Sequence, residues 1–257
     1  MLELGLKVWS TNRAYRALAR ALYEAGTFDF LEIAVPAESG LEDVAFWRDE
    51  PYPFVLHAPH SYSGLNMALE SLETANRAQM EKLARAQAML RPRFVIFHPG
   101  TQGSFQETVR QVRLFGREFP DLFACALVEN KPRLGLRGET CQGASPDEVR
   151  ALMDATGLGF CLDAAHAVCY ANRARRPWLE VFDEFLALGP AMYHLADGDA
   201  AAETDAHEHL GRGTFDLPRI LGRIPDGSAV TVETKKDSPT DLNDFVRDVE
   251  YVRVCVR

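Results

Sequence analysis

The chain has 257 residues, of which 47% are hydrophobic and 25% are charged, and its formal net charge at pH 7 is −9. This composition is typical of a soluble globular protein, and the acidic balance argues against broad, nonspecific binding of nucleic acid. No apolar run approaches the roughly 20 residues of a membrane span, so no membrane partner is expected. The N-terminus does not resemble a secretory signal, and the five cysteines lack C-x-x-C spacing, so we expect a cytoplasmic protein.

The first half of the chain alternates apolar runs with helix-like segments. Strands one to four are predicted at residues 4–9, 28–35, 54–59 and 93–100. Helices are predicted at 13–25, 68–90 and 106–119, whereas the segment after strand two, 36–51, is short and weakly helical. The cluster Ser10-Thr11-Asn12 is expected to cap the first helix. The strands are continuous apolar runs, which is typical of parallel strands buried on both faces.

The second half repeats this alternation. Strands five to eight are predicted at residues 122–130, 158–166, 191–197 and 228–234. A long glycine-rich loop, 131–145, follows strand five, and Ser145 and Glu148 then have the spacing of a capping box at the start of a helix. Further helices are predicted to begin near Pro177 and Asp216, and another at 241–253 closes the chain.

Eight strand–helix units in a chain of this length predict an α/β fold, a single (β/α)8 barrel (TIM barrel) that spans residues 1–257 as one domain. The competing fold is a doubly wound open sheet. That sheet would gather ligands at one switch point and would not recruit side chains from strands three to eight. Because functional groups of such barrels collect at the C-terminal ends of the strands, we expect a site at that rim.

All seven histidines lie at the C-terminal ends of the predicted strands or in the loops that follow them: His57, His60, His98, His166, His194, His207 and His209. Three carboxylates, Glu129, Asp163 and Glu233, lie at equivalent strand ends. A single histidine or glutamate at such a position is usually a hydrogen-bonded loop residue or half of an ion pair. The convergence of many of them on one rim instead predicts a metal site.

Nine histidines and carboxylates of this rim are candidate metal ligands: His57, His98, Glu129, Asp163, His166, His194, Asp205, His207 and Glu233. Five imidazoles and four carboxylates suit Zn²⁺ or Mn²⁺ and exceed what one ion can use, so two or three ions are expected. Asp163 and His166 would lie about one helical turn apart, and Asp205 and His207 on one side of an extended loop. Gly211 and Gly213 are expected to let the backbone approach a substrate closely.

At these positions the chain resembles the endonuclease IV family of apurinic/apyrimidinic endonucleases, within the xylose-isomerase-like TIM-barrel superfamily. The motifs that carry the resemblance are FHPG at 97–100, VEN at 128–130, CLDAAH at 161–166, HL at 194–195, DAHEHLGRG at 205–213 and VET at 232–234. The resemblance implies that the family's three-zinc ligand set falls on the nine residues. It covers strands three to eight, whereas the loops at 36–47 and 57–64 differ from the family's pattern.

The resemblance implies a metal-dependent phosphodiester hydrolase, with damaged, abasic DNA as a candidate substrate. Glu129 and Glu233 would be catalytic, since they would hold ions and orient the attacking water. His60 and four basic residues of the rim loops are candidate substrate contacts: Arg133, Arg137, Arg212 and Lys235. His209 is expected to support a ligand from behind. For each of these residues an ordinary loop or solvated surface position is the alternative.

The alternative function is a sugar or sugar-phosphate isomerase or epimerase of the same superfamily. In that case one Mn²⁺, Mg²⁺ or Co²⁺ would be held by four residues: Glu129, Asp163, His194 and Glu233. The two glutamates would shuttle a proton at carbon. This alternative leaves the remaining five candidate ligands without a role. A non-catalytic protein that binds metal or carbohydrate is a further alternative, but binding alone does not require so many ligands.

Overall fold

In the computed structural model, which describes residues 1–256, eight parallel strands form a closed barrel in chain order. The strands are β1 Glu3–Trp9, β2 Phe30–Ala34, β3 Phe54–His57, β4 Val95–Phe97, β5 Ala126–Glu129, β6 Gly159–Asp163, β7 Met192–Leu195 and β8 Ala229–Val232. The last strand pairs with the first, with Leu6 opposite Val232. The predicted (β/α)8 barrel is therefore confirmed, and the doubly wound sheet is excluded.

Ten α-helices lie among the described residues: α1 Arg16–Glu24, α2 Leu41–Ala45, α3 Glu73–Leu90, α4 Phe105–Glu118, α5 Pro120–Phe123, α6 Pro146–Thr156, α7 Ala164–Ala174, α8 Trp178–Leu186, α9 Leu217–Leu221 and α10 Asn243–Cys255. Short 3-10 turns, Arg13–Tyr15 and Glu70–Leu72, precede α1 and α3. The predicted helices are present within a few residues of their expected bounds.

Three local predictions need correction. The predicted fifth strand begins too early, because Pro120 starts the short helix α5, where its missing N–H costs nothing. The helix α7 was not predicted; it follows β6 directly, since the Asp163 side chain caps it by accepting from the backbone N–H of His166 at 2.7 Å. Asn12 does not cap the first helix, because its carboxamide oxygen accepts from the N–H of Trp9 instead, at 2.8 Å.

The capping prediction at α6 is confirmed in its main feature. The Ser145 hydroxyl accepts from the N–H of Glu148 at 3.1 Å, and Pro146 occupies the first helical turn. The reciprocal bond of a capping box is shifted by one residue, because the Glu148 carboxylate accepts from the N–H of Ala144 at 2.9 Å. This helix start fixes the end of the long loop that follows β5.

No helix of the described residues is both long and apolar enough to cross a membrane. All five cysteines are unpaired, and Cys141, Cys161 and Cys169 are buried. Burial raises the pKa of the thiols of Cys161 and Cys169, so both are small buried hydrophobic residues rather than thiolates. The cytoplasmic location stays a prediction.

Candidate metal centre

The barrel interior has an apolar layer followed by a polar layer. One buried residue from each of seven strands forms the apolar layer: Phe30, Val55, Ile96, Leu127, Cys161, Met192 and Ala229. Because side chains two positions apart point to the same side of a strand, the residues two positions later also face inward, toward the C-terminal rim. They are Glu32, His57, His98, Glu129, Asp163, His194 and Thr231, all buried. Strand alternation therefore builds the polar layer.

Glu129 is the centre of this layer. Its Oε2 lies 3.2 Å from His57 Nε2, 3.1 Å from His98 Nε2 and 3.4 Å from His194 Nδ1. Its Oε1 lies 3.3 Å from His166 Nδ1. One carboxylate thus meets imidazoles from β3, from β7, from the residue that follows β4 and from helix α7, so it could serve as a ligand in more than one group.

Three groups of candidate ligands surround this carboxylate. The first consists of His57, His98 and Glu129, and the second of Glu129, Asp163, His194 and Glu233; in each group the ligand atoms lie within 4.8 Å of one another. Glu129 belongs to both groups, so the two could hold neighbouring ions through one shared carboxylate.

The third group consists of His166, Asp205 and His207. Asp205 Oδ2 lies 2.8 Å from His207 Nδ1 and 3.6 Å from His166 Nε2. His207 adopts a left-handed backbone conformation with φ 49°, and its Nε2 lies 3.3 Å from Glu233 Oε1. The structure therefore brings all nine candidate ligands into one contiguous cluster.

Several buried atoms of this cluster lack a hydrogen-bond partner. Within residues 1–256 no hydrogen bond is made by Glu129 Oε1, His194 Nδ1, Asp205 Oδ2 or Glu233 Oε2. Leaving buried polar atoms unsatisfied costs roughly 1–3 kcal/mol each, and more when they are charged. Divalent cations would satisfy these atoms, and a donor set of imidazole nitrogens and carboxylate oxygens fits Zn²⁺ or Mn²⁺.

Burial and neighbouring charges shift the pKa values of the buried groups in opposite directions. Burial raises the pKa of Asp163 to about 6. Burial would also raise the pKa of Glu129, but the charges of His98 and His194 hold it well below its ordinary range. Burial would lower the pKa of His207, but Asp205 raises it to about 10. Without bound cations the His207 imidazole thus keeps its proton near neutral pH, and metal binding would displace it.

Two charged residues of the site were missed by the sequence analysis. Glu32 in β2 is 0% exposed, and its Oε2 lies 2.9 Å from His194 Nε2. Lys7 in β1 is 9% exposed, and its Nζ lies 3.0 Å from Glu32 Oε1 and 2.7 Å from Glu233 Oε1. Burial would lower the pKa of Lys7, but the charges of Glu233 and Glu32 raise it above its ordinary value, so the side chain is a cation. Both residues lie in mid-strand rather than at a strand end; a charged residue inside an apolar strand was the available signal.

Glu32 orients His194. A carboxylate on one imidazole nitrogen fixes which nitrogen can bind a metal. Because Glu32 contacts Nε2, the Nδ1 atom is left to face Glu129 and Glu233, from which it is separated by 3.4 and 2.6 Å. Thr231 holds Glu32 in turn, since its hydroxyl donates to Oε2 at 2.7 Å.

A cavity of about 970 Å³ opens from the cluster toward the rim. Lys7, Asp205, His207 and Glu233 line its inner part, and the exposed side chains of Trp9, Tyr62 and Leu136 line it as well. Such a volume accommodates a drug-sized ligand beside the candidate ligands.

The candidate substrate contacts fall into two sets. His60 lines the cavity and stacks on His98, with ring centroids 4.4 Å apart, and Lys235 lines it while paired with Glu208 at 2.9 Å. The remaining three, Arg133, Arg137 and Arg212, are not among the residues that line the cavity. Arg133 is held by Glu148 at 2.6 Å, and Arg137 lies over the Tyr62 ring, 4.8 Å from its centroid. Their role in substrate binding stays a prediction.

His209 faces away from the candidate ligands and supports the loops around them. Its Nδ1 lies 3.0 Å from Asp248 Oδ2 and its Nε2 lies 3.0 Å from Asp237 Oδ1. Asp248 also accepts from the N–H of Leu210 at 2.9 Å and from the Thr234 hydroxyl at 2.6 Å. The last helix therefore holds the loop of His207 and the end of β8, next to Glu233, in place.

Gly211 and Gly213 have a structural role in the loop that follows β7. Their N–H groups donate to the buried carboxylate of Asp197, at 2.9 and 3.0 Å. A Cβ at Gly213 would meet the backbone oxygen of Gly198 at 2.3 Å, and Gly211 adopts φ 78°. These glycines permit close packing of the loop on Asp197; the approach of a substrate to their backbone stays a prediction.

Comparison with known proteins supports the barrel fold and finds similarity both to endonucleases and to an epimerase-like protein. Residues 19–255 match the family described as Xylose isomerase-like TIM barrel. A protein of Thermoplasma volcanium named "Probable endonuclease 4" is 26% identical over 207 residues, which cover 77% of this chain and 72% of that protein.

Two solved structures illustrate this range. The crystal structure of endonuclease IV from Thermus thermophilus has a TM-score of 0.71 and 21% identity, and the match covers 99% of this chain and 98% of that one. The crystal structure of a D-tagatose 3-epimerase-like protein has a TM-score of 0.70 and 18% identity, and covers 99% and 97%. At these identities the likenesses establish the barrel alone.

Proposed function

The chain belongs to the xylose isomerase-like TIM-barrel family, and we propose that it is a metal-dependent phosphodiester hydrolase of endonuclease IV type. The observation that carries the proposal is the convergence of nine imidazole and carboxylate side chains in three groups, linked through Glu129 and Glu233. A single ion with about four protein ligands would leave five of the nine without a partner. Two or three ions, Zn²⁺ or Mn²⁺, would use them all.

The protein side chains have separable tasks in this proposal. Bound cations would lower the pKa of a water toward neutrality and would polarise a phosphoryl oxygen. Glu129 would be a ligand shared by neighbouring groups, since its two oxygens meet imidazoles of both. Glu233 borders the cavity beside His207, where it would orient the water. The barrel wall excludes bulk solvent from the inner ends of these side chains, which are nearly all buried.

Abasic DNA is a candidate substrate, and we propose that it is a poor one. The chain carries a net charge of −9, whereas tight binding of duplex DNA draws on several Lys and Arg contacts to the backbone. Of the basic candidate contacts, Arg133 is paired with Glu148 and Lys235 with Glu208, so each would have to exchange an acidic partner for a phosphate. Smaller phosphodiesters fit this balance of charge better than a long duplex does.

The first test is the metal content of matched variants. Elemental analysis of fully metallated protein should find two or three divalent ions per chain, and the double variant Asp205→Asn/His207→Ala should hold about one fewer. Glu208→Gln is the control, since this glutamate lies in the same loop but its side chain pairs with Lys235 at the surface. At most one ion in the wild-type protein, or an equal loss in the control, would contradict the proposed ligand set.

The second test is activity. A chromogenic phosphodiester and a labelled abasic oligonucleotide duplex should be assayed with Zn²⁺ or Mn²⁺, at low and at moderate salt. We expect the simple phosphodiester to be cleaved and the abasic duplex to be cut weakly. Robust incision of the duplex would show that the DNA function is intact, and no hydrolysis of either substrate would refute the hydrolase.

A divalent-metal-dependent sugar or sugar-phosphate isomerase or epimerase is the second candidate. One observation favours it: the second group alone, Glu129, Asp163, His194 and Glu233, offers four ligand atoms close enough to hold a single ion. In that case one ion per chain would suffice, and Asp205→Asn/His207→Ala would leave the metal content unchanged. Ketose–aldose interconversion or epimerisation, without phosphodiester hydrolysis, would establish this candidate.

A further inference from the structure

Lys7 is a buried cation for which the nine candidate ligands provide no explanation. It lies in β1 two positions after Gly5, so that its side chain faces the barrel interior like Glu32 and Glu129. Its side chain is 9% exposed. Lysine is almost never buried to this degree unless it is paired, because removing an ammonium group from water costs several kcal/mol. The burial of Lys7 therefore indicates a role for this ammonium within the site.

Neutralising Glu32 does not account for all of the hydrogen-bonding capacity of Lys7. Glu32 Oε2 already meets His194 Nε2 at 2.9 Å and the Thr231 hydroxyl at 2.7 Å. Lys7 Nζ lies 2.7 Å from Glu233 Oε1 and 3.0 Å from Glu32 Oε1, so these two carboxylates engage two of its three N–H donors. The third donor has no partner among the described residues.

The remaining donor borders the large cavity, which Lys7 lines. Three of the five lysines of the chain line this cavity: Lys7, Lys235 and Lys236. Lys235 pairs with Glu208 and Lys236 donates to the Thr234 carbonyl oxygen at 2.8 Å. Of the three, Lys7 is the one whose side chain is buried.

An anionic oxygen is the partner that best fits this ammonium. Hydrogen bonds between an ammonium and an anionic oxygen are about twice as strong as neutral ones, and lysine commonly binds phosphate as a point charge. In a chain with a net charge of −9, a concentration of lysines around one cavity marks where a negatively charged group could be held. A neutral hydroxyl could accept a hydrogen bond from the Lys7 ammonium but would not add the attraction of opposite charges.

We propose that Lys7 is a substrate-binding residue, and that it donates to a phosphoryl oxygen held on the β1 and β8 side of the cavity. The identity of the ligand rests on the proposed function, whereas the availability of the third Lys7 donor does not. Glu32 and Glu233 then have a second task, which is to fix the ammonium in position. The substrate class is accordingly a phosphate ester that reaches past Glu233 to the wall formed by β1.

The test is the affinity for inorganic phosphate, measured by isothermal titration calorimetry on metal-loaded protein. Removing one hydrogen bond between charged groups should weaken binding on the order of 10- to 100-fold in Lys7→Met, with the metal content unchanged. Arg223→Met is the matched control, since it removes one positive charge from a surface pair with Asp183, and its phosphate affinity should equal that of the wild-type protein. Unchanged affinity in Lys7→Met would overturn the proposal.

A second variant guards against a purely structural effect. Lys7→Met leaves Glu32 without its cation, so Lys7→Met/Glu32→Gln, which removes the pair, is measured together with it. Weak phosphate binding by either variant at full metal content supports the proposal. If both variants bind phosphate weakly only because they have also lost metal, the proposal is overturned. Hydrolysis by the wild-type protein is assayed separately. If phosphate binding depends on Lys7 but no diester is cleaved, the proposed function fails and the phosphate site remains.

Discussion

Glu32→Gln should destabilise the barrel although it keeps the size and shape of the side chain. Glu32 is fully buried and meets Lys7, His194 and Thr231 through its two oxygens. Although burial alone would raise the pKa of Glu32, the charges of His194 and Lys7 lower it to about 2, so the group is a carboxylate near neutral pH. The substitution therefore removes one partner of a buried ion pair.

The magnitude follows from what remains of the pair. Removing one partner of a buried ion pair costs about 3–5 kcal/mol. Lys7 keeps Glu233 at 2.7 Å, so we expect a value near the lower end, about 3 kcal/mol. For a chain of this size 1 kcal/mol shifts Tm by about 2–4 °C, which predicts a Tm lowered by about 6–12 °C.

The assay is thermal and urea unfolding followed by circular dichroism, on chelator-treated protein so that metal binding does not mask the difference. Glu24→Gln, an exposed glutamate near the end of α1, is the control and should change the free energy of unfolding by less than about 0.5 kcal/mol. Lys7→Met/Glu32→Gln should cost less than the sum of the two single variants by at least about 1 kcal/mol. The reasoning is refuted if Glu32→Gln costs no more than its control, or if the single effects add.

Three further predictions concern the site, the loops and acid stability. Glu233→Gln should lower turnover at least about 100-fold with a native circular dichroism spectrum, because it removes charge from the cavity wall without changing volume; retention of most activity would contradict its role. Asp248→Asn should weaken the bonds that hold the loop of residues 205–215 and speed its cleavage in limited proteolysis, whereas an unchanged cleavage rate would show that the loop is held otherwise. Burial would raise the pKa of Glu50, but hydrogen bonds from Arg20 and Arg16 lower it below 4.5. This stabilisation is therefore complete above pH 4.5 and is lost as pH falls through the lower, folded-state pKa. In urea unfolding the stability difference between the wild-type protein and Glu50→Gln should be largest near pH 7 and should shrink toward pH 3; a difference that does not change with pH would count against it.

The sequence by itself determined the barrel and the composition of its rim. Apolar runs separated by helices specify parallel strands buried on both faces, and such strands point their C-terminal ends the same way. Histidines and carboxylates that follow these runs could therefore be assigned to one rim without knowing any distance. Strand bounds were less exact, as at Pro120, because a short apolar helix and a buried strand share one local pattern.

Only the tertiary structure decided which side chains meet. Glu32 and His194 are separated by 162 positions, and nothing local to β2 indicates that its carboxylate will meet that imidazole. Closing the barrel sets β1 beside β8, which brings Lys7 to Glu233, and the register of β1 on β2 sets Lys7 beside Glu32. Strand periodicity fixes which way a side chain points, whereas its partners across the barrel depend on registers and on closure, which are properties of the whole chain.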